Sequence, residues 1–443
     1  LAQDIIDIKD ATDEYRPRAV LIAVETPTGS AWSIEESLAE LARLVDTAGG
    51  DVVATTSQKL ASPHTATFIG SGKAEEVKQT AVAEHADYVI FDDELNPRQQ
   101  ANLEKIFGED VRVMDRTGLI LDIFSLHAKT REGKLQVELA TLEYELPRLR
   151  GKWSHLVKEK LGGGVGARFG TGESQLETDR RLARKRIATL KEDLRVVDRQ
   201  RTTQRTRRLN SGIFRVSLVG YTNAGKSTLL NALTGSDVLT YDKLFATLDS
   251  TTRQFVLPSG RETTLTDTVG FINKLPHQLV AAFRSTLAEV KDADLLLHVV
   301  DAGSQLREEL LDAVRVVLQE IDSEKIDTLI VWNKSDTLEE DELSKLLERY
   351  PGSVTVSALD GSGFTTLTDA IERRAFESSM LMHVLLPYTR GDLVQFAHEH
   401  TSLISESYSE AGTELTLRVP RQYSATFAPY VQAPTQDHQD SKA

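Results

Sequence analysis

Residues 220–228 read Gly-Tyr-Thr-Asn-Ala-Gly-Lys-Ser-Thr, and the fold turns on them. Phe214 to Val219 before them is a short apolar run with β-branched residues, and Leu229 to Gly235 after them has helical spacing. A strand, a glycine-rich loop and then a helix is the context in which G-x-x-x-x-G-K-[ST] reads as a phosphate site rather than a chance turn carrying a solvated lysine. Gly220 and Gly225 let the backbone fold tightly. Successive N–H groups from Tyr221, Thr222, Asn223 and Ala224 through to Thr228 can then point at phosphate oxygens, at a helix N-terminus that favours negative charge. Lys226 can reach the β and γ phosphates, and the Ser227 hydroxyl can ligate Mg²⁺.

Downstream stretches fit the same chemistry. Arg253 to Leu257 and Glu262 to Thr266 read as strands joined at the turn Pro258-Ser259-Gly260. The second runs into Asp267-Thr268-Val269-Gly270, where the acid can hold Mg²⁺ through water and Gly270 can offer its N–H to a γ-phosphate. Leu295 to Val300 is a further buried strand, and Leu329 to Trp332 is another that runs into Asn333-Lys334-Ser335-Asp336. The Asp336 carboxylate can accept from guanine N1–H and the exocyclic amine. Adenine lacks both donors and would leave that carboxylate unpaired. Ser357-Ala358, after a strand at 353–356, completes a base pocket. Each tetrapeptide alone is a weak signal, but in this order, each at a strand end, they specify GTP and GDP.

At 443 residues the chain has room for roughly two to four domains. No apolar run approaches the ~20 residues of a membrane span, and no secretory signal pattern opens the sequence. The absence of cysteine excludes disulfides and thiolate metal sites. A cytoplasmic location is expected, with peripheral contact to a membrane compatible with it. The formal charge of −15 argues against a nucleic-acid partner until it is read by segment. Between Arg148 and Arg208 there are 18 Lys and Arg against 7 Asp and Glu, a local +11. An acidic body with one basic arm can still dock on RNA.

Residues 1–17 are charged and aperiodic and read as a tail. From Arg18 to about Phe124 strands alternate with helices, which implies a small α/β domain with a largely parallel sheet. Ser33 and Glu36 have capping-box spacing before a helix whose apolar face is Leu38, Leu41, Leu44 and Val45. Gly70-Ser-Gly-Lys73 misses the Walker spacing and reads as a helix-opening turn. Asp92-Asp93-Glu94 reads as an acidic loop without chemistry. Beyond Arg131, Leu135, Leu139, Leu142, Leu146 and Leu149 form one seam, and Ala183, Ile187, Leu190, Leu194 and Val197 form a second. Pro147 ends or kinks the first helix. Between the seams lies Leu161-Gly-Gly-Gly-Val-Gly-Ala-Arg-Phe-Gly-Thr-Gly172, too glycine-rich for a helix. The reading is an antiparallel helical hairpin with a basic tip. Trp153, Lys158, Lys160, Arg168, Arg180, Arg181 and Arg184 are its candidate RNA contacts. The bland alternative is a structural or dimerisation coil.

The expected architecture is therefore a P-loop GTPase domain at 211–378, with a mixed, mostly parallel sheet and helices on both faces. A small α/β domain (18–125) and the hairpin (126–210) precede it. A small α+β domain at 379–421 and a disordered tail at 422–443 follow.

With these motifs assembled, the sequence resembles the HflX family, translation-factor-related GTPases of the P-loop class. The resemblance rests on FIGSGK (68–73), FDDEL (91–95) and DRTGLILDIF (115–124), and on TREGKLQVELA (130–140), LPRLRGKWSH (146–155) and ESQLETDRR (173–181). It implies binding of the large (50S) ribosomal subunit by the N-terminal domain and hairpin, with the hairpin loop reaching toward the peptidyl-transferase region. It also implies splitting of stalled ribosomes. The resemblance further marks Phe245-Ala246-Thr247-Leu248-Asp249 as the first switch, with Thr247 as the second hydroxyl ligand of Mg²⁺ beside Ser227. The residues alone leave Thr247, Thr251 and Thr252 as alternatives. On this resemblance Lys226, Thr247 and Gly270 are the catalytic set. The tip departs from the family pattern GTRGPGETQLE: Gly166 to Glu177 lacks the proline and is longer by one residue.

A GTPase that binds ribosomes, monomeric when free, is the reading preferred here. The rival is a GTP-gated module that docks on a protein complex through the hairpin, and loss of binding with RNase and salt separates the two. Phe271 stands where Ras-type GTPases carry a water-orienting glutamine, and its side chain has no hydrogen-bonding atom, so slow hydrolysis by the isolated chain is expected. Asp336→Asn presents an amide where two guanine donors approach and suits xanthine, which carries an oxygen at C2. Titration with both nucleotides is expected to show weaker GTP and tighter XTP binding. Unchanged GTP binding would remove Asp336 from the pocket.

Overall fold

The computed structural model describes residues 15–27, 32–149, 172–209, 213–235, 244–245, 247–248, 250–274, 289–377, 379–420 and 423–432. Among the described residues there are three sheets. The first is four-stranded in the order β2-β1-β3-β4, from β1 (Arg18–Glu25), β2 (Asp51–Lys59), β3 (Tyr88–Phe91) and β4 (Arg112–Asp115), all parallel. Its connecting helices are α1 (Ile34–Thr47), α2 (Ser71–Ala83) and α3 (Pro97–Phe107), and α4 (Arg116–His127) follows the last strand. The Ser33–Glu36 capping box is formed in both directions, and Gly70 is the N-cap of α2, as the spacing implied. Tyr15 and Arg16, within the stretch read as a tail, are tied down instead. The Tyr15 hydroxyl donates to Asp87, and Arg16 pairs with Asp46 and Asp51.

α5 (Arg131–Glu145) and α6 (Gly172–Leu209) pair antiparallel. Leu139, Leu142 and Leu190 pack in the seam with Leu135, Ile187 and Leu194. Pro147 sits in a 3₁₀ turn, Leu146–Arg148, that closes α5. Ion pairs Arg186–Glu138 and Lys191–Glu143 flank the seam. The tip between the helices lies outside the described residues.

The second sheet has the order β10-β9-β8-β5-β7-β6, built from β5 (Phe214–Gly220), β6 (Thr251–Val256), β7 (Glu262–Asp267), β8 (Leu295–Asp301), β9 (Thr328–Asn333) and β10 (Val354–Thr355). Only β6 runs antiparallel, forming the expected hairpin with β7. α7 (Lys226–Thr234), α8 (Arg307–Glu320), α9 (Glu340–Arg349) and α10 (Phe364–Glu377) complete this unit. Its central strands β5 and β8, buried along nearly their whole length, are the signature of a sheet covered on two faces. Leu295, Leu297 and Val299 enter the cluster around α7 and α10, while Leu296 enters the one shared with the N-terminal unit.

The third sheet is antiparallel, β11-β13-β12, from β11 (Ser379–Leu386), β12 (Ser402–Ser409) and β13 (Gly412–Pro420), with α11 (Gly391–His400) laid on it. The polar stretch of β12 gave no strand signal. The stretch expected to be a disordered tail is instead ordered over 423–432. Residues 424–427 form a helical turn, Phe427 is fully buried among Met382, Val384 and Leu417, and Gln432 N–H donates to His383 O at 2.8 Å. Burial of Tyr423 and Phe427 outweighs the polar, proline-containing surroundings that suggested disorder.

Arg116, the first residue of α4, is 2% exposed and lies between the carboxylates of Glu40 and Asp92. Removing the cation would leave buried Glu40 without a cationic partner and Asp92 with Lys274 alone, which costs about 3–5 kcal/mol. Arg116→Ala is accordingly expected to destabilise the N-terminal unit in the intact chain by that much, read as a lower urea midpoint. An unchanged midpoint would show that the two acids escape burial.

Candidate phosphate and guanine site

β5 lies between β7 and β8, so its C-terminal end delivers Gly220 to the middle of the sheet edge. The approach is too close for a side chain, since a Cβ on Gly220 would lie 2.2 Å from Val299 O. The loop then turns through Gly225, at φ +87° the N-cap of α7, where a Cβ would strike Asn333 Nδ2. The first helical N–H groups, those of Lys226, Ser227 and Thr228, are left unpaired within the helix and face the loop's interior.

Lys226 is buried, and burial lowers its ammonium to a pKa of about 8 against the opposing pull of Asp267. Its Nζ donates to Gly220 O at 3.0 Å and Tyr221 O at 2.8 Å. Beside it, the Ser227 and Thr247 hydroxyls are 2.7 Å apart, and Ser227 Oγ donates to Asp267 Oδ2 at 2.5 Å. Burial raises the Asp267 carboxyl, although Lys226, Ser227 and Thr247 oppose it. Asp267 Oδ1 is buried without a partner. Three hard oxygen donors and an orphaned carboxylate oxygen suit a small divalent cation. Of the three threonines, Thr247 is the one whose hydroxyl lies against Ser227. Thr251 begins β6, and Thr252 bonds the Thr266 hydroxyl instead.

Gly270 sits against the loop: a Cβ there would lie 2.8 Å from Thr222 Cα and 3.1 Å from Lys226 Nζ. Phe271 fixes that approach through its backbone, donating to Gly220 O at 3.1 Å and accepting from Thr222 N–H at 2.8 Å. Its ring is buried in the junction with the N-terminal unit. On the base side, Asn333 Nδ2 donates to Ala224 O at 2.8 Å and Asn333 Oδ1 accepts from Ala358 N–H at 3.0 Å. One amide therefore ties the phosphate loop to the loop carrying Ser357. Lys334, at φ +62°, pairs with Asp301 at 2.8 Å. Ser335 N–H donates to Val356 O, and Asp336 is left exposed at the mouth.

Several predicted residues have side chains engaged away from the loop. The Thr268 hydroxyl donates to Leu218 O, while Phe245, Leu248 and Val269 are buried in the core. Tyr221 turns its phenol away, to Glu40 of α1. Ala246 and Asp249 lie outside the described residues, as do Trp153, Lys158, Lys160 and Arg168. Arg181 and Arg184 are exposed on α6, but Arg180 is half-buried and donates to Leu149 O at 3.3 Å, which makes it a hairpin contact. The acidic triplet is a loop after β3, as expected, but its first acid is not solvated. Asp92 is buried and takes Arg116 at 2.7 Å, Ser37 at 2.6 Å and Lys274 at 2.6 Å. Burial alone would raise its carboxyl, and Arg116 with Lys274 brings it below the ordinary value. Among the described residues no cluster of His, Asp or Glu has metal-binding geometry, and no helix is long and apolar enough to cross a membrane.

Three families match in succession: "GTP-binding GTPase N-terminal" over 35–125, "GTP-binding GTPase Middle Region" over 127–208 and "50S ribosome-binding GTPase" over 215–334. The chain is 46% identical over 408 residues to GTPase HflX of Caldanaerobacter subterraneus subsp. tengcongensis, covering 91% of each. It is 45% identical over 389 residues to GTPase HflX of Escherichia coli, covering 87% of this chain and 90% of that one. A crystal structure of a GTP-binding protein from Sulfolobus solfataricus in complex with GDP aligns at 27% identity and TM-score 0.41, over 82% of this chain and 99% of that one.

Because Asn333 bridges two loops from a buried position, Asn333→Ala loses two hydrogen bonds at about 1–3 kcal/mol. Calorimetric titration is expected to show GDP and GTP weakened alike, by about tenfold to a hundredfold. Selective loss of one nucleotide would contradict this bridging role.

Proposed function

The chain belongs to the HflX family of GTPases, and on that premise we propose that it binds the large ribosomal subunit and uses its nucleotide cycle to dissociate or rescue stalled ribosomes. It is an enzyme that hydrolyses GTP to GDP and phosphate. Residues 18–125 and 126–210 form the ribosome-facing half, and 211–378 the nucleotide unit.

The observation that carries the chemistry is the convergence of Ser227, Thr247 and Asp267 beside a buried Lys226. Ser227 and Thr247 would hold Mg²⁺, with Asp267 behind them. When bound, the ion neutralises charge on the β and γ phosphate oxygens. Lys226 and the loop N–H groups stabilise charge on the transferred phosphoryl group, and Gly270 N–H faces the γ-phosphate position. Asp336 selects guanine, in a pocket closed by Ser335, Ser357 and Ala358. No side chain of the Phe271 type can orient the attacking water, so the partner completes the site by closing it.

Support for the ribosome comes from the exposed basic face of α6, with Arg181, Arg184 and Lys185, in a chain of net charge −15. It also comes from the family description matched at 215–334. Turnover by the intact chain is expected to be slow and to rise at least tenfold with 50S subunits, about 1.4 kcal/mol of barrier. Arg181→Glu with Arg184→Glu should weaken co-sedimentation with those subunits and reduce the stimulation while leaving GTP affinity unchanged. A fast basal rate untouched by subunits would overturn the reading. Binding that resists both RNase and salt would favour a protein complex as the partner instead.

A further inference from the structure

A cavity of about 80 Å³ lies against the phosphate loop. Its walls are residues 221–224 of that loop, the end of β8 with the turn after it, and Trp32, Glu40 and Arg43 of the N-terminal unit. A single water needs only ~10–15 Å³ of such space, so there is room for a tetrahedral oxyanion. Two polar side chains on these walls are unsatisfied. Thr222 Oγ1 and His298 Nε2, the latter on β8, are buried without a hydrogen-bond partner among the described residues. Native interiors pair nearly all such groups, and two orphans facing one cavity call for an occupant that supplies the missing bonds.

Thr222 stands between this cavity and the reacting phosphate. A Cβ on Gly270 would lie 2.8 Å from both Cα and Cγ2 of Thr222, and 3.1 Å from Lys226 Nζ. Thr222 N–H donates to Phe271 O at 2.8 Å, so the backbone is pinned and the side chain is the part that can turn. The carboxylates on the walls are already matched. Glu40 is bonded to Arg116 and Tyr221, and Asp301 pairs with Lys334 at 2.8 Å. Arg43 is the exposed residue of the lining and has no carboxylate partner among the described residues. An unmatched guanidinium on the open side draws an anion toward solvent. Burial lowers the His298 pKa to about 3, with Arg315 and Lys226 adding to the effect, so its imidazole is neutral. A hydroxyl donates and accepts, and Nε2 of a neutral imidazole does one or the other according to tautomer. Hydrogen phosphate carries O–H and O⁻ on one tetrahedron and satisfies either.

We propose that the cavity is an exit site for the inorganic phosphate formed by hydrolysis, with Thr222 as the gate, His298 as a phosphate-binding residue and Arg43 at the outlet. The inference rests on the proposed placing of the γ-phosphate at Lys226 and Gly270. Hydrolysis leaves hydrogen phosphate beside GDP, and passage from there exchanges hydrogen bonds only. The anion moves from Lys226 and the loop N–H groups to Thr222 and His298, then to Arg43, and has a partner at every stage. GDP stays held through Asn333 and Asp336, so phosphate leaves first.

The test uses the intact chain loaded with GDP, and inorganic phosphate is the probe. Titration followed by phosphorus NMR is expected to show saturable binding of phosphate, with sulfate competing. Arg43→Glu and His298→Leu are each expected to weaken it about tenfold or more, the usual scale for a lost hydrogen bond to a charged group. Affinity for GDP and for a non-hydrolysable GTP analogue should be unchanged in both. His298→Leu also separates a binding role from a structural one. It replaces an unpaired buried polar group by an apolar one of similar size, so its urea midpoint should hold or rise. In a single turnover with 50S subunits, a fluorescent phosphate sensor should report release delayed behind cleavage about threefold longer in both variants, with cleavage itself unchanged.

Phosphate binding unchanged in both variants would overturn the inference, because the anion would then sit at the vacated γ-phosphate position. No saturable binding by the parent, or release that keeps step with cleavage in both variants, would overturn it as well. A lowered urea midpoint in His298→Leu would remove His298 from the site by showing a packing role. Lys226→Ala separates the exit site from the reading beneath it. If that variant binds the GTP analogue like the parent, the placing of the γ-phosphate itself fails. If it loses the analogue while Arg43→Glu and His298→Leu bind phosphate like the parent, only the exit site fails.

Discussion

A guanidinium that is almost wholly inside the protein has to be paid for by anions held equally deep. Arg116 has Glu40 from α1 and Asp92 from the end of β3. Taking an ion out of water costs several kcal/mol even after relaxation, and only close, well-directed partners offset it. Those partners fix where α1 and α4 sit against the sheet. They also leave acceptor capacity facing outward, because a carboxylate has room for more than one donor. Tyr221 of the phosphate loop takes the remaining oxygen of Glu40, and Lys274 takes Asp92. One buried charge thus organises the N-terminal unit and determines what the nucleotide unit finds when it docks there.

The nucleotide site holds a second buried charge under the opposite condition. Lys226 has only two carbonyls and a nearby carboxylate, and burial pulls its pKa down to about 8. Asp267 is pushed upward by the same burial. Neither group is fully satisfied by the protein. Their environment suits a ligand that brings concentrated negative charge together with a cation, as a metal-bound triphosphate does. The geometry of backbone groups around them is settled in advance by Gly220, Gly225 and Gly270, where any side chain would collide with backbone or with Asn333. Binding then requires little rearrangement of the loop itself.

Much of this is legible in the residues alone. The phosphate loop, D-x-x-G and N-K-x-D are recognisable because each depends on local backbone: a strand end, a tight turn, a helix start. The capping box at Ser33, the turn at Gly70, the hairpin seams and the stop at Pro147 are local in the same sense, set by spacings of three or four residues. Other features depend on groups far apart in the chain. Asp92 looked like part of a solvated loop because its partners, Arg116 and Lys274, lie 24 and 182 residues away. Tyr221 looked like a phosphate-loop filler, yet its phenol serves Glu40 at a separation of 181 residues. Thr247 could not be told from its neighbours until the fold brought it to Ser227. β12 carries no alternating pattern, and Phe427 becomes core only because a sheet lies under it. Local propensity and spacing act along the chain, whereas the pairing of buried charges and the burial of one aromatic ring against another depend on which surfaces the fold brings together.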